Sequence, residues 1–223
     1  MSIADNLLRV RERISRTAER AGTDPQSIAL VAVTKTVDAS RIEAAIQAGV
    51  TDIGENYVQH SIEKFGIIGR RVRWHMIGHL QRNKAKRAVE IFDLIQSVDN
   101  PALAREIGKR ASAVGKVQEV LIEANISGEA SKYGVEPKEA LALANDAAEV
   151  PGVRVLGMMG IAPFVEDPAA IRRSFVLLRT LWEELPAERR RWLSMGMTSD
   201  FEIAIEEGSN MVRIGTAIFG PRT

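Results

Sequence analysis

Apolar residues along this chain recur with two different periods, and the switching between them lays out an architecture. Over residues 3–21, Ile3, Leu7, Val10, Ile14, Ala18 and Ala21 fall on one face at helical spacing, with Gly22 at the close. An amphipathic helix is expected there. Short apolar runs follow: SIALVAV (27–33), TDIG (51–54), RWHMIG (73–78), FDLIQSV (92–98), VQEVLIEANI (117–126), VRVLGMMGI (153–161), RWLSMGM (191–197) and MVRIGTAIFG (211–220). Helical patterns near 39–48, 56–65, 80–90, 100–114, 136–149, 168–184 and 200–207 separate them. The pattern predicts eight strands with seven helices between them.

Strands this apolar are covered on both faces, and a helix between each pair supplies the crossover that parallel pairing needs. An open doubly wound sheet and a closed (β/α)8 barrel both meet that description. The first strand is followed by VTKTVDAS, which contains no glycine and so lacks the dinucleotide-binding fingerprint. The count of eight, with polar residues at successive strand ends, favours the barrel. No Pro/Gly/Ser-rich linker divides the chain. Residues 1–223 are therefore expected to form a single α/β domain, a (β/α)8 TIM-type barrel with an extra N-terminal helix.

Composition acts mainly by exclusion. At 223 residues, 45% hydrophobic and 26% charged, the chain can bury one substantial core. Thirty Lys+Arg against 29 Asp+Glu leave a net charge of +1, so no global field recruits nucleic acid or an anionic membrane. The basic clusters GRRVRW (69–74) and RNKAKR (82–87) have few aromatics among them and read as solvated charge. With no cysteine, disulfides, thiolate metal sites and Cys nucleophiles drop out. The histidines are His60, His75 and His79; the last two flank a glycine in HMIGH with no carboxylate to complete a ligand set, so no metal site is expected. The charged N-terminal pattern is unlike a signal peptide, and no run approaches the roughly 20 apolar residues of a membrane span. A cytoplasmic protein is expected. No strong apolar patch suggests an obligate dimer, so a monomer is expected too.

In a (β/α)8 barrel the chemistry gathers at the carboxyl ends of the strands, whose loops share one face. Lys35 follows the first run, Glu55, Asn56 and Tyr57 the second, and His75, His79 and Gln81 bracket the end of the third. Ser97 and Asp99, Asn125 and Ser127, and Met159 follow in turn. Thr198, Ser199 and Asp200 come after the seventh run, while the eighth passes through Arg213 into Gly215 and Thr216. Alone, Lys35 reads as a solvated turn lysine, and MTSD as the N-cap of the helix after it. Together, a Gly and hydroxyls at a helix start beside a second Gly-Thr turn suit a phosphate. An amine able to form an imine, a phosphate seat and an arginine in the final strand are the parts of a pyridoxal phosphate site. An arginine at the pyridine nitrogen keeps it unprotonated and the ring a weak electron sink, which suits mild chemistry or simple retention.

The motifs AVTK (32–35), GENYVQ (54–59), WHMIGHLQRNK (74–84), NISGEASKYG (125–134), GMMGIAP (157–163), SMGMTSDFEIAI (194–205) and MVRIGTAIFG (211–220) are in order over nearly the whole chain. Together they resemble the pyridoxal phosphate homeostasis protein family. The resemblance implies a fold-type III barrel related to the N-terminal domain of alanine racemase, with pyridoxal 5'-phosphate held as a Schiff base on Lys35. It implies Asn56 beside the ring, Arg213 at the pyridine nitrogen, and the phosphate against Thr198 and the backbone of Gly215 and Thr216. The family shows GMS where this chain has GMT; threonine keeps the hydroxyl, and either Thr198 or Ser199 is the donor. The implied role is maintenance of vitamin B6 and amino-acid balance without robust turnover, with pyridoxal phosphate-dependent apoenzymes as recipients. The alternative is a racemase-like enzyme using Lys35 as base. Alanine racemase adds a second domain and a partner tyrosine, whereas this chain has only Tyr57 and Tyr133.

Overall fold

The computed structural model describes residues 2–129 and 132–221. Ala130 and Ser131 of NISGEASKYG lie outside the described residues, as do Met1, Arg222 and Thr223. Eight strands, β1 (Ala29–Val33), β2 (Asp52–Glu55), β3 (Arg73–Met76), β4 (Leu94–Val98), β5 (Gln118–Ala124), β6 (Val153–Gly160), β7 (Trp192–Ser194) and β8 (Met211–Ile214), follow one another around a closed barrel. Every neighbouring pair is parallel, and β8 closes on β1 with Val31 opposite Arg213. The expected (β/α)8 barrel is what the chain forms.

Helix α1 (Ile3–Arg20) precedes the barrel, and α2 (Ala39–Gln47), α3 (Val58–Ile68), α4 (Ala85–Ile91), α5 (Pro101–Ala113), α6 (Pro137–Ala148), α7 (Pro168–Glu183) and α8 (Phe201–Glu206) are the crossovers. α1 starts with a capping box: Ser2 Oγ accepts from Asp5 N, and Asp5 Oδ2 accepts from Ser2 N, each at 3.1 Å. Its apolar stripe, Leu7, Val10, Ile14 and Ala18, is buried, and the helix packs on α2, α8 and the final helix α9 (Thr216–Phe219). No helix among the described residues is long and apolar enough to cross a membrane.

Alternation along each strand sorts side chains into two layers. Val31, Leu94, Leu121, Leu156, Met159 and Met211 form one buried apolar cluster. A larger one, with Ile53, Trp74, Ile95, Phe175 and Val212, joins the sheet to the helices. His75, Gln96, Glu123, Ser194 and Arg213 are buried as well. A polar interior on this scale requires partners, because an unpaired buried group costs about 1–3 kcal/mol.

Two elements depart from the sequence expectation. The eighth run ends as a strand at Ile214, and its tail TAIF is α9. Ile218 N and Phe219 N both donate to Gly215 O at 2.9 Å. A short apolar run does not by itself separate strand from helix. The seventh run stops at Ser194, because Gly196 at φ +94° turns the chain into the left-handed region. A Cβ on Gly196 would lie 2.6 Å from Ala204 Cβ, so glycine is required where this turn folds against α8.

Candidate functional site

The end of β1 is built to hold one turn rigidly. Thr34 is fully buried; its hydroxyl donates to Glu55 Oε1 at 2.6 Å and its N–H to Gly54 O at 2.9 Å. Lys64 of α3 donates from Nζ to that same Glu55 oxygen and to Thr34 O, both at 2.7 Å. Half-buried Lys35 comes next. Thr36 follows at φ +65°, the one non-glycine residue at positive φ among the described residues. A β-branched residue there carries strain of about 1–3 kcal/mol, which persists only where surrounding contacts impose it. The Thr34–Glu55–Lys64 clamp fixes the start of the turn, and Val37 N closes it by donating to Thr34 O at 3.0 Å.

Lys35 lines a cavity with Val33, Arg41, Gly215, Thr216 and Phe219. The amine from the first strand and the Gly-Thr turn after the last therefore open into one space, because barrel closure makes β1 and β8 neighbours. Arg41 donates to Phe219 O, tying α2 to α9 across this cavity. Thr198, half-buried, and Ser199, exposed, sit on the turn between β7 and α8 and do not line it. No side chain caps α8. Asp200 Oδ1 instead accepts from Met197 N at 2.6 Å, so neither Ser199 nor Asp200 plays the N-cap role. Burial pushes the Asp200 carboxyl up against the opposing pull of the Met197 N–H and Arg213.

Arg213, 3% exposed, donates from Nη1 to Ser194 Oγ at 2.5 Å and from Nη2 to Gly160 O at 2.9 Å. Burial pulls its pKa down to about 10, opposed by Glu123 and Asp200, so it stays charged at neutral pH.

A second cavity beside the first is lined by Asn56, His79, Gln81, Lys84, Glu123 and Tyr133, among others. Asn56 thus lines this second space and not that of Lys35 and Thr216, and Arg213 lines neither. Its loop is held against Gly78, where a Cβ would come 2.6 Å from Asn56 O. The His79 ring stacks on Tyr133 with centroids 4.0 Å apart, and its Nδ1 is 3.4 Å from Asp99 Oδ2. His75 parts company with it, facing the barrel interior next to Asp52 and Gln96. Asn56 Oδ1 and Glu123 Oε2 are buried with no hydrogen-bond partner among the described residues.

Glu123, which lines the second cavity, escapes strand-end reading because it sits within β5 and not after it. Burial, with Asp99 adding and Arg213 subtracting, raises its pKa from 4.5 to about 7. A raised carboxyl favours the folded state while protonated, so this stability is present below pH 4.5 and lost as pH climbs through about 7. Glu123→Gln should match the wild type at about pH 4 and exceed its stability by about 3 kcal/mol above about pH 8. Denaturant unfolding at the two pH values reads this directly, and an unchanged difference would show that Glu123 titrates normally.

The family model described as the alanine racemase N-terminal domain matches residues 6–223. The pyridoxal phosphate homeostasis protein of Aquifex aeolicus is 43% identical over 226 residues, covering 100% of this chain and 99% of the relative. That of Escherichia coli K12 is 41% identical over 231 residues, covering 99% and 97%. Among solved structures, PipY of Synechococcus elongatus with pyridoxal phosphate bound superposes at TM-score 0.85 and 33% identity, over 98% of this chain and 100% of that one. Alanine racemase of Clostridium difficile shares the fold at TM-score 0.77 and 14% identity, with 56% of its length covered. Whole-length similarity on this scale, over a barrel that brings Lys35 to the Gly215-Thr216 turn, leaves one assignment: the chain belongs to the pyridoxal phosphate homeostasis protein family, on the alanine racemase N-terminal fold.

Proposed function

We propose that this protein holds pyridoxal 5'-phosphate as a Schiff base on Lys35 and maintains vitamin B6 and amino-acid homeostasis by buffering or delivering it, without robust turnover of its own. The observation that supports this most is the cavity shared by Lys35 with Gly215 and Thr216. Lys35, Gly215 and Thr216 share that space, an amine for the aldehyde beside a hydroxyl turn for the phosphate; the Arg213 guanidinium and the Thr198 and Ser199 hydroxyls lie outside its lining and are the further donors this reading assigns.

The Lys35 amine adds through Nζ to the aldehyde carbon, and water leaves. Thr198 or Ser199, with Gly215 and Thr216, holds the phosphate. Arg213 stays charged and only donates, so the nitrogen it faces remains unprotonated. Bound pyridoxal phosphate supplies an electron sink, and this arrangement keeps that sink weak. Retention and release to pyridoxal phosphate-dependent apoenzymes, by a monomer in the cytoplasm, suit it better than turnover.

Borohydride reduction of the loaded protein followed by peptide mass mapping tests the reading. A reduced pyridoxyl adduct on the peptide carrying Lys35 is expected. A colourless protein, or an adduct confined to other lysines, would overturn it. Racemisation of L- or D-alanine that disappears in Lys35→Ala would replace the carrier role with the enzymatic one.

A further inference from the structure

A line of hydrogen bonds leads from Arg213 through the barrel interior to its far end. Ser194 Oγ, the acceptor for Arg213, donates to Gln96 Oε1 at 2.7 Å. Gln96 Nε2 lies 2.9 Å from His75 Nδ1 and 3.2 Å from Met211 Sδ. His75 Nε2 lies 2.9 Å from Asp52 Oδ1, and Thr51 Oγ1 donates to Asp52 Oδ2 at 2.7 Å. Ser194, Gln96 and His75 are fully buried. Asp52, the first residue of β2, is partly exposed and lines a groove with Pro25, Gln26 and Thr51 at the strands' N-terminal ends, away from Lys35.

The donor directions along this line are forced. A guanidinium only donates, so Ser194 accepts from Arg213 and sends its single proton to Gln96 Oε1. Gln96 then presents N–H to His75 Nδ1, which leaves the proton of a neutral imidazole on Nε2, facing the Asp52 carboxylate. Protonating His75 puts a second hydrogen on Nδ1, directly against the Gln96 N–H. The amide resolves this conflict by turning over, so that Oε1 faces His75 and Nε2 faces Ser194. The Ser194 proton then loses its acceptor and must swing away, which changes what Arg213 meets.

We propose that Gln96 and His75 are positioning residues for Arg213, through which a proton taken up near Asp52 at the base of the barrel alters the guanidinium at its mouth. This rests on the reading that Arg213 faces bound pyridoxal phosphate. Coupling of this kind is reciprocal: if His75 protonation alters cofactor binding, cofactor binding alters His75 protonation. The other charged groups along the line are Arg73 and Glu119 beside Asp52, paired at 3.1 Å, and Glu123 and Asp200 beside Arg213. Asp99 acts on Glu123 in turn. Repeating the titration in Glu123→Gln separates the Glu123 proton from that of His75.

The test follows the imidazole C–H signals by NMR across pH in the full chain, with and without pyridoxal 5'-phosphate, alongside the visible spectrum of the loaded protein. His75→Asn identifies the His75 signal among the three histidines. Loading should shift the His75 titration. Gln96→Leu and His75→Asn should flatten the pH dependence of the visible band and speed cofactor loss about tenfold or more, the worth of one hydrogen bond to a charged group. Gln96→Glu, an acceptor towards both neighbours, should move the His75 titration upward. A coloured protein whose His75 titration is the same with and without cofactor overturns this inference alone. A colourless wild-type protein overturns the binding reading and this one with it. The loading comparison is made on the wild type, and if His75→Asn fails to fold, His60→Asn and His79→Asn assign the His75 signal by elimination and leave it decisive.

Discussion

Lys35→Ala should purify without colour and stay colourless when soaked in pyridoxal 5'-phosphate, with no borohydride-fixed adduct in its intact mass. The described residues lining its cavity include one other basic group, Arg41, and a guanidinium deprotonates too rarely near neutral pH to form an imine. The residues proposed to meet the phosphate and the pyridine nitrogen are untouched in the variant, so weak reversible binding should survive in equilibrium dialysis while covalent capture is lost entirely. Thermal stability should change little, since Lys35 is half-buried and belongs to neither apolar cluster. A variant that still fixes the cofactor in equal amount would move the site elsewhere in the molecule.

Lys64→Met should destabilise the fold by about 3–5 kcal/mol, because Glu55 is then left as an uncompensated buried charge. The Glu55 side chain has no exposed surface, that of Lys64 is 13% exposed, and Nζ lies 2.7 Å from Oε1. The pair need not be a net source of stability, since replacing both charges with apolar groups is often neutral. Lys64→Met/Glu55→Leu should therefore recover most of the loss in urea unfolding. The two variants separate stability from presentation. In the double variant Thr34 loses its Glu55 acceptor and its Lys64 donor, leaving the Val37 N–Thr34 O and Thr34 N–Gly54 O bonds alone to hold the positive φ of Thr36, so the Lys35 turn loosens. Slower capture of pyridoxal 5'-phosphate at near-normal stability is the expected result. Capture at the wild-type rate would show that the turn is held by other contacts.

Much of the barrel was legible because strand and helix periods are local properties. Six of the eight apolar runs became strands close to their expected bounds, and the two others began as strands and stopped short. The eighth run shows the limit: TAIF is as apolar as a strand, and only burial of Ile218 and Phe219 alongside α1 makes it a helix. His75 shows another. It was expected at the mouth with His79, yet it lies inside β3 with its side chain towards Asp52. One residue of register decides which side of a strand a side chain takes, and adjacent apolar residues conceal it.

What the sequence determined by itself was the alternation that closes into a barrel, the lysine at the end of its first strand, and the motifs that mark the family. Tertiary structure alone decided which groups meet. Ser194 reaches Gln96 across 98 positions of chain, and Met211 reaches the same amide across 115. Lys64 finds Glu55 only once α3 has packed back on the sheet. Such pairings come from barrel closure and strand register, which bring distant residues within hydrogen-bond reach. Periodicity reports only which face a residue takes, never who stands opposite.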